Sequence, residues 1–134
     1  MEMRIKIEKE IPRQVLEDIF VTAIEGGSNY WYFLSDEAVA KIRKAVSVES
    51  EPYLSIAISK AILDFGVDVP INDAENEEEV LGTISKTTMQ DRLQLLSDDA
   101  HYKYALESEL NEEGDGDSSD IVFQYLSFGK VIFG

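Results

Sequence analysis

The chain has 134 residues, 44% of them hydrophobic, which suits one domain around one core and excludes an acidic disordered tail. It holds no cysteine, which excludes disulfides and thiol chemistry, and no apolar run reaches the roughly 20 residues needed to span a membrane. Twelve basic residues against 27 acidic ones give a formal charge of −15, which repels nucleic acid and anionic lipid but attracts a basic protein surface.

Residues 3 to 8 alternate apolar and charged side chains, a period of two that predicts an edge strand. The first residues carry no signal-peptide pattern, so the expected location is the cytosol. Pro12 suits a first helical turn, and Val15, Leu16, Ile19, Phe20, Ala23 and Ile24 recur at helical spacing until Gly26 and Gly27 stop the run. The aromatic-rich stretch Ser28 to Leu34 reads as a strand or a tightly packed loop. Ser35 followed by Asp36 and Glu37 is the pattern of an N-cap with acids in the first turn, opening a helix whose outer face carries Lys41, Arg43 and Lys44.

Residues 52 to 65 show a further helical pattern, which Gly66 is placed to end. Val67 to Ile71 and Glu79 to Ser85 read as short strands, the first at a sheet edge because of Pro70. Thr87 and Gln90 fit a capping box for a helix carrying Met89, Leu93 and Leu96, with a restart at Ser97 to Asp99. After a polar turn at residues 111 to 119, Ile121, Val122, Tyr125 and Leu126 mark a last helix that Gly129 closes, and Val131 to Phe133 read as a short strand. These elements predict one α+β domain over residues 1 to 134, with four or five helices on a small, mostly antiparallel sheet.

Residues 61 to 85 hold seven acids and no base, and residues 104 to 129 hold seven more and no base. Asp73, Glu75, Glu77, Glu78 and Glu79 from the first stretch, with Glu112, Glu113, Asp115, Asp117 and Asp120 from the second, are the candidates for an acidic partner face. The same acids are weighed as metal ligands. Asp115, Asp117 and Ser119 begin like a calcium loop, but the glycine and glutamate positions are occupied by Asp120 and Leu126. A two-metal nuclease site would also use such carboxylates, although acid runs on loops ordinarily face solvent. The single histidine, His101, has no visible partner for general-base or nucleophilic work. No catalytic residue, metal or cofactor is expected.

The most specific string is Glu25-Gly26-Gly27-Ser28-Asn29-Tyr30-Trp31. Its glycines permit close backbone approach, Ser28 and Asn29 add hydrogen-bonding groups, and Tyr30 and Trp31 offer flat faces. It reads either as a ligand or partner site or as a helix cap followed by core aromatics.

That string, the segment Ile71 to Asn76 and the C-terminal segment Asp120 to Gly134, with its Gln124-Tyr125 and Phe128-Gly129 pairs, resemble the signature segments of a family of small phage and prophage proteins. Tyr32 stands where that family carries a cysteine, which argues against a required thiol. The resemblance implies a small accessory protein acting inside a bacterial host cell, and no catalytic residue is carried over from it. The expected function is therefore a non-enzymatic counter-defence or host-takeover inhibitor, whose acidic surface blocks a host protein that handles nucleic acid. The alternatives are a binder that sequesters a signalling nucleotide at Gly26 to Trp31, with Lys41, Arg43 or Lys44 folded over it, and an oligomeric structural or assembly protein. Direct nucleic-acid or membrane binding is not expected.

Overall fold

The computed structural model describes all 134 residues. Helix α1 (Arg13–Thr22) follows Pro12 and widens at Ala23–Gly27 into a π-turn, where the Ser28 N–H reaches back to the Ala23 carbonyl at 2.8 Å. Strand β1 (Tyr32–Phe33) is followed by α2 (Asp36–Ala45), capped by Ser35 as expected, and by α3 (Leu54–Leu63). Gly66 ends this run with φ +67. A hairpin of β2 (Val69–Asp73) and β3 (Val80–Ile84) leads to α4 (Lys86–Asp98), α5 (Lys103–Leu110) and α6 (Gly116–Phe128). The result is a single α+β domain with six helices, one or two more than the periodicity suggests, and a three-stranded antiparallel sheet. Asp99 supplies the additional break by accepting from the His101 and Tyr102 N–H groups, which starts α5 as a separate helix.

Helix α6 is the axis of the fold. Its ten residues from Ser118 to Ser127 are all buried, so it is enclosed on every side rather than along one stripe. It packs against α1, α4, α5 and β3, while α2 and α3 pack on each other and α2 lies against β2. Asp115 and Ser118 form a reciprocal capping box at its start, and Gly129 closes it with φ +77. At its other end Arg92 donates from one nitrogen to the carbonyls of Leu126 at 2.6 Å, Ser127 at 2.8 Å and Thr83 at 3.0 Å. A cation at these carbonyls complements the helix dipole and fastens β3 to α6. Arg13 and Asp64 form a two-pronged pair, at 2.7 and 2.8 Å, that joins the start of α1 to the end of α3.

Four local expectations are corrected. Residues 3 to 8 form no strand, and Met3, Ile5 and Ile7 are exposed; their alternation is genuine, but no neighbouring strand supplies a ladder. Strand β2 is central rather than at an edge, and Pro70 is accommodated because β1 pairs only with Asn72 and Asp73. Helix α4 is capped by Ser85, which accepts from the Thr87 N–H, so it begins earlier than the Thr87 box suggests. Residues Val131 to Phe133 are irregular, because their backbone pairs with a side chain instead of a strand, as described below.

Gly82 is where the sheet touches the axis. A Cβ there would collide with the Ser127 carbonyl oxygen and lie 2.9 Å from the Phe128 ring, and a backbone carbonyl in a helix cannot swing aside. Gly82→Ala is expected to destabilise the fold by about 1–3 kcal/mol, seen as a lower urea midpoint with an unchanged slope.

Candidate functional site

The two glycine-bearing segments meet at one carboxylate. Asp120, on the first half of α6, is only 7% exposed. Its Oδ1 accepts from Ser28 Oγ and from Trp31 Nε1, both at 2.7 Å, and its Oδ2 accepts from the Tyr30 hydroxyl at 2.6 Å and Gln124 Nε2 at 3.2 Å. An ionised carboxylate offers about four acceptor positions, and these four donors occupy them. Asp120 is therefore an internal tether and is removed from the acidic partner face.

The close approach of the two segments requires glycine. A Cβ on Gly27 would lie 2.5 Å from the Gly116 carbonyl oxygen, and the π-turn at Ala23–Gly27 delivers Ser28, Tyr30 and Trp31 to α6 from that contact point. Trp31, 2% exposed, stacks on Phe133 at 5.2 Å and 8° and meets Phe128 at 5.1 Å and Phe123 at 5.6 Å. The backbone of the same residue reaches the sheet, since the Ala74 N–H donates to the Trp31 carbonyl at 2.8 Å.

Gln124 joins the C-terminal segment to this assembly. Its Oε1 accepts from the Ile132 and Phe133 N–H groups at 2.8 and 2.9 Å, and its Nε2 donates to the Phe133 carbonyl at 3.1 Å as well as to Asp120. Both oxygen contacts are donors and both nitrogen contacts are acceptors, so only one orientation of the amide fits.

Of the seven residues in the Glu25 to Trp31 string, Ser28 and Trp31 are thus interior, with Gly27 partly covered. Glu25 accepts from Ser55 Oγ at 2.9 Å, and Gly26, Asn29 and Tyr30 reach the surface. Tyr30, 52% exposed, borders an open cleft of about 440 Å³. Tyr102 and Tyr104 from the α4–α5 corner, the first turn of α6 with Asp117, and the C-terminal segment complete its lining. No Lys, Arg or His lines it. The basic residues of α2 lie elsewhere. Arg43 donates to the carbonyls of Glu51 and Pro52, and Lys41 and Lys44 border a separate depression with Val67 and Asp68.

The acids divide into two kinds. Glu109 is buried and accepts from the hydroxyls of Ser118 and Ser119, both at 2.7 Å, beneath a loop whose Gly114 leaves no room for a Cβ. Asp115 caps α6, and Asp117 accepts from the Tyr104 hydroxyl at 3.0 Å, so these two serve different partners rather than a shared cation. No group of three or more His, Asp or Glu side chains is arranged to hold a metal ion. Glu75, Glu77, Glu78 and Glu79 are exposed on the β2–β3 turn, where Asp73 is half-buried, and Glu112 and Glu113 are exposed on the α5–α6 loop. The two groups of acids sit on different elements, and no hydrogen bond joins them.

Several tyrosines hold their protons tightly. Burial, and then the bond to Asp120, raise the Tyr30 phenol well above its ordinary value. Burial, and then the bond to Asp99, push Tyr125 up to about 12, while that bond holds Asp99 below the usual carboxylate range. Burial and Asp117 raise Tyr104, and burial raises Tyr32. Compared with protein-family models, with curated proteins and with solved structures, the chain has no match.

Replacing Asp120 by Ala leaves four donors facing an apolar methyl. The expected loss is at least about 3 kcal/mol, since bonds to charged groups contribute about 1.5–3 kcal/mol each. Asp120→Asn keeps one acceptor oxygen but turns a donor toward other donors, and should fall between the two. Urea denaturation read through the fluorescence of Trp31, the only tryptophan, measures both variants.

A phenol raised on folding contributes stability that is complete below its unfolded value, about 10, and is lost as pH rises through the folded value. The urea midpoint should therefore hold steady from about pH 7 to 9 and fall above about pH 10. Tyr125→Phe should be less sensitive than the parent between pH 10 and about 12, the value to which Tyr125 is pushed.

Proposed function

We propose that this is a non-enzymatic, phage-derived binding protein of the host cytoplasm, a counter-defence or host-takeover inhibitor that occupies the basic surface of a host protein that handles nucleic acid. The observation that carries the reading is that the surface acids are left without cations. The three ion pairs in the molecule use Glu17, Asp64 and Glu51, and none reaches the β2–β3 turn or the α5–α6 loop. These stretches therefore project uncompensated charge, the property that steers an acidic protein onto a basic groove. No helix is long and apolar enough to cross a membrane.

Sequestration of a signalling nucleotide at Gly26 to Trp31 has less support. Tyr30 offers a stacking face there, but a phosphate entering the cleft would meet carboxylates and no cation. An oligomeric assembly role rests on the exposed apolar residues at the two ends of the chain, such as Ile5 and Ile132.

The test is capture of interacting molecules from bacterial host lysate on the tagged protein at low and at high salt. A nucleic-acid-handling or defence protein should be retained at about 50 mM salt and released at about 0.5 M, where screening reaches only a few ångströms. Changing Glu77, Glu78 and Glu79 together to Gln should weaken retention at low salt while leaving the urea midpoint unchanged, as all three are exposed. Salt-independent capture, or a co-purifying nucleotide with no protein, overturns the reading.

A further inference from the structure

We propose that the cleft between Tyr30 and the Tyr102–Tyr104 corner receives the guanidinium of an arginine side chain presented by the partner protein. This rests on the reading above that the partner surface is basic, and it assigns that surface a specific anchor.

The chemistry of the walls selects the ligand. Three tyrosines and the carboxylates of Asp117 and Asp120 line the cleft, with no cation among them. The first turn of α6 adds a positive dipole end equivalent to roughly half a charge, but Asp115 caps it and Asp117 sits within it, so this part of the lining is net negative. An anionic ligand is disfavoured there and a cation favoured.

The tyrosines strengthen the case. The hydroxyl of Tyr30 donates to Asp120 and that of Tyr104 donates to Asp117. A phenol that donates to a carboxylate gains electron density on its ring, which makes it a better partner for a cation. Tyr30 and Tyr104 are 52% and 46% exposed, so both remain accessible. Asp117 uses only Oδ2 for Tyr104, which leaves Oδ1 free to accept. Asp120, by contrast, has its acceptor positions filled and acts by charge alone.

Guanidinium fits these walls better than ammonium, because its plane stacks on aromatic rings while its fork of N–H groups bonds a carboxylate edge. The openness of the cleft decides between a free cation and a tethered one. A free small ligand ordinarily needs most of its surface covered, whereas a side chain delivered by a docked protein does not.

The test is an amide chemical-shift titration of the whole isotope-labelled chain with N-acetyl-Gly-Arg-Gly-amide, with its citrulline counterpart, and with methylguanidinium. The arginine peptide should perturb Gly27, Tyr104, Asp117 and Ile121, and the uncharged, isosteric citrulline peptide should not. Asp117→Asn and Tyr104→Leu should each weaken arginine binding about tenfold, and Tyr104→Phe, which keeps the ring, should bind more tightly than Tyr104→Leu. A urea midpoint within error of the parent shows that Asp117→Asn leaves the fold intact.

Equal binding of citrulline, or shifts confined to Glu77 to Glu79 and Glu112 to Glu113, would overturn the proposal in favour of diffuse attraction. Methylguanidinium binding as tightly as the peptide would overturn the assignment to a side chain. Host-protein capture that Asp117→Asn leaves undiminished refutes the cleft and spares the acidic-surface reading. Arginine binding in the cleft with no host protein captured supports the cleft and refutes that reading.

Discussion

A carboxylate taken out of water is destabilising unless other donors replace the water it loses, and Asp120 meets that condition with groups from distant parts of the chain. Three of its donors lie about ninety residues away, so the set contains the side-chain hydrogen bonds of longest reach along the chain. Much else follows from it. The π-turn is needed to present Ser28 and Trp31 at the right depth, Gly27 is needed to let the backbones approach, and Trp31 in turn organises Phe123, Phe128 and Phe133 around itself. The donors are all neutral, so the charge is solvated but not cancelled and still contributes to the external field.

The fold class was legible because the signals that decide it are local. Apolar spacing marked α1, α2 and α3, Ser35 announced its helix, and Gly66 and Gly129 marked two ends that do adopt left-handed backbone. What was not legible depended on neighbours. Residues 3 to 8 carry the pattern of a strand, yet a strand exists only where another supplies hydrogen bonds. Pro70 reads as an edge residue, and its site behaves like an edge although its strand is central, because β1 is too short to reach it.

The same limit applies to the site. Asp120 and Asp117 look alike in sequence, three residues apart in one acidic stretch, yet the first is buried under its own donors and the second is exposed with one oxygen free. The clue to Asp120 was its position at the start of the apolar run of α6, beside Ile121 and one helical turn before Gln124, together with a string of donors lacking an obvious acceptor at Ser28 to Trp31. Tyr102 and Tyr104 gave no such clue. They join the cleft only because Asp99 breaks the helix and turns the α4–α5 corner toward the start of α6.

Gln124 has a bearing on how the protein behaves in concentrated solution. The segment Val131 to Phe133 is short, apolar and β-prone, with no charge of its own. Had it joined the sheet as a fourth strand, it would have presented a new row of unpaired N–H and C=O groups to neighbouring molecules. One side-chain amide instead occupies both backbone groups of Phe133 and the N–H of Ile132, so the segment is held without extending the sheet. A segment that would otherwise template self-association is closed from within, so the sheet gains no further edge from it.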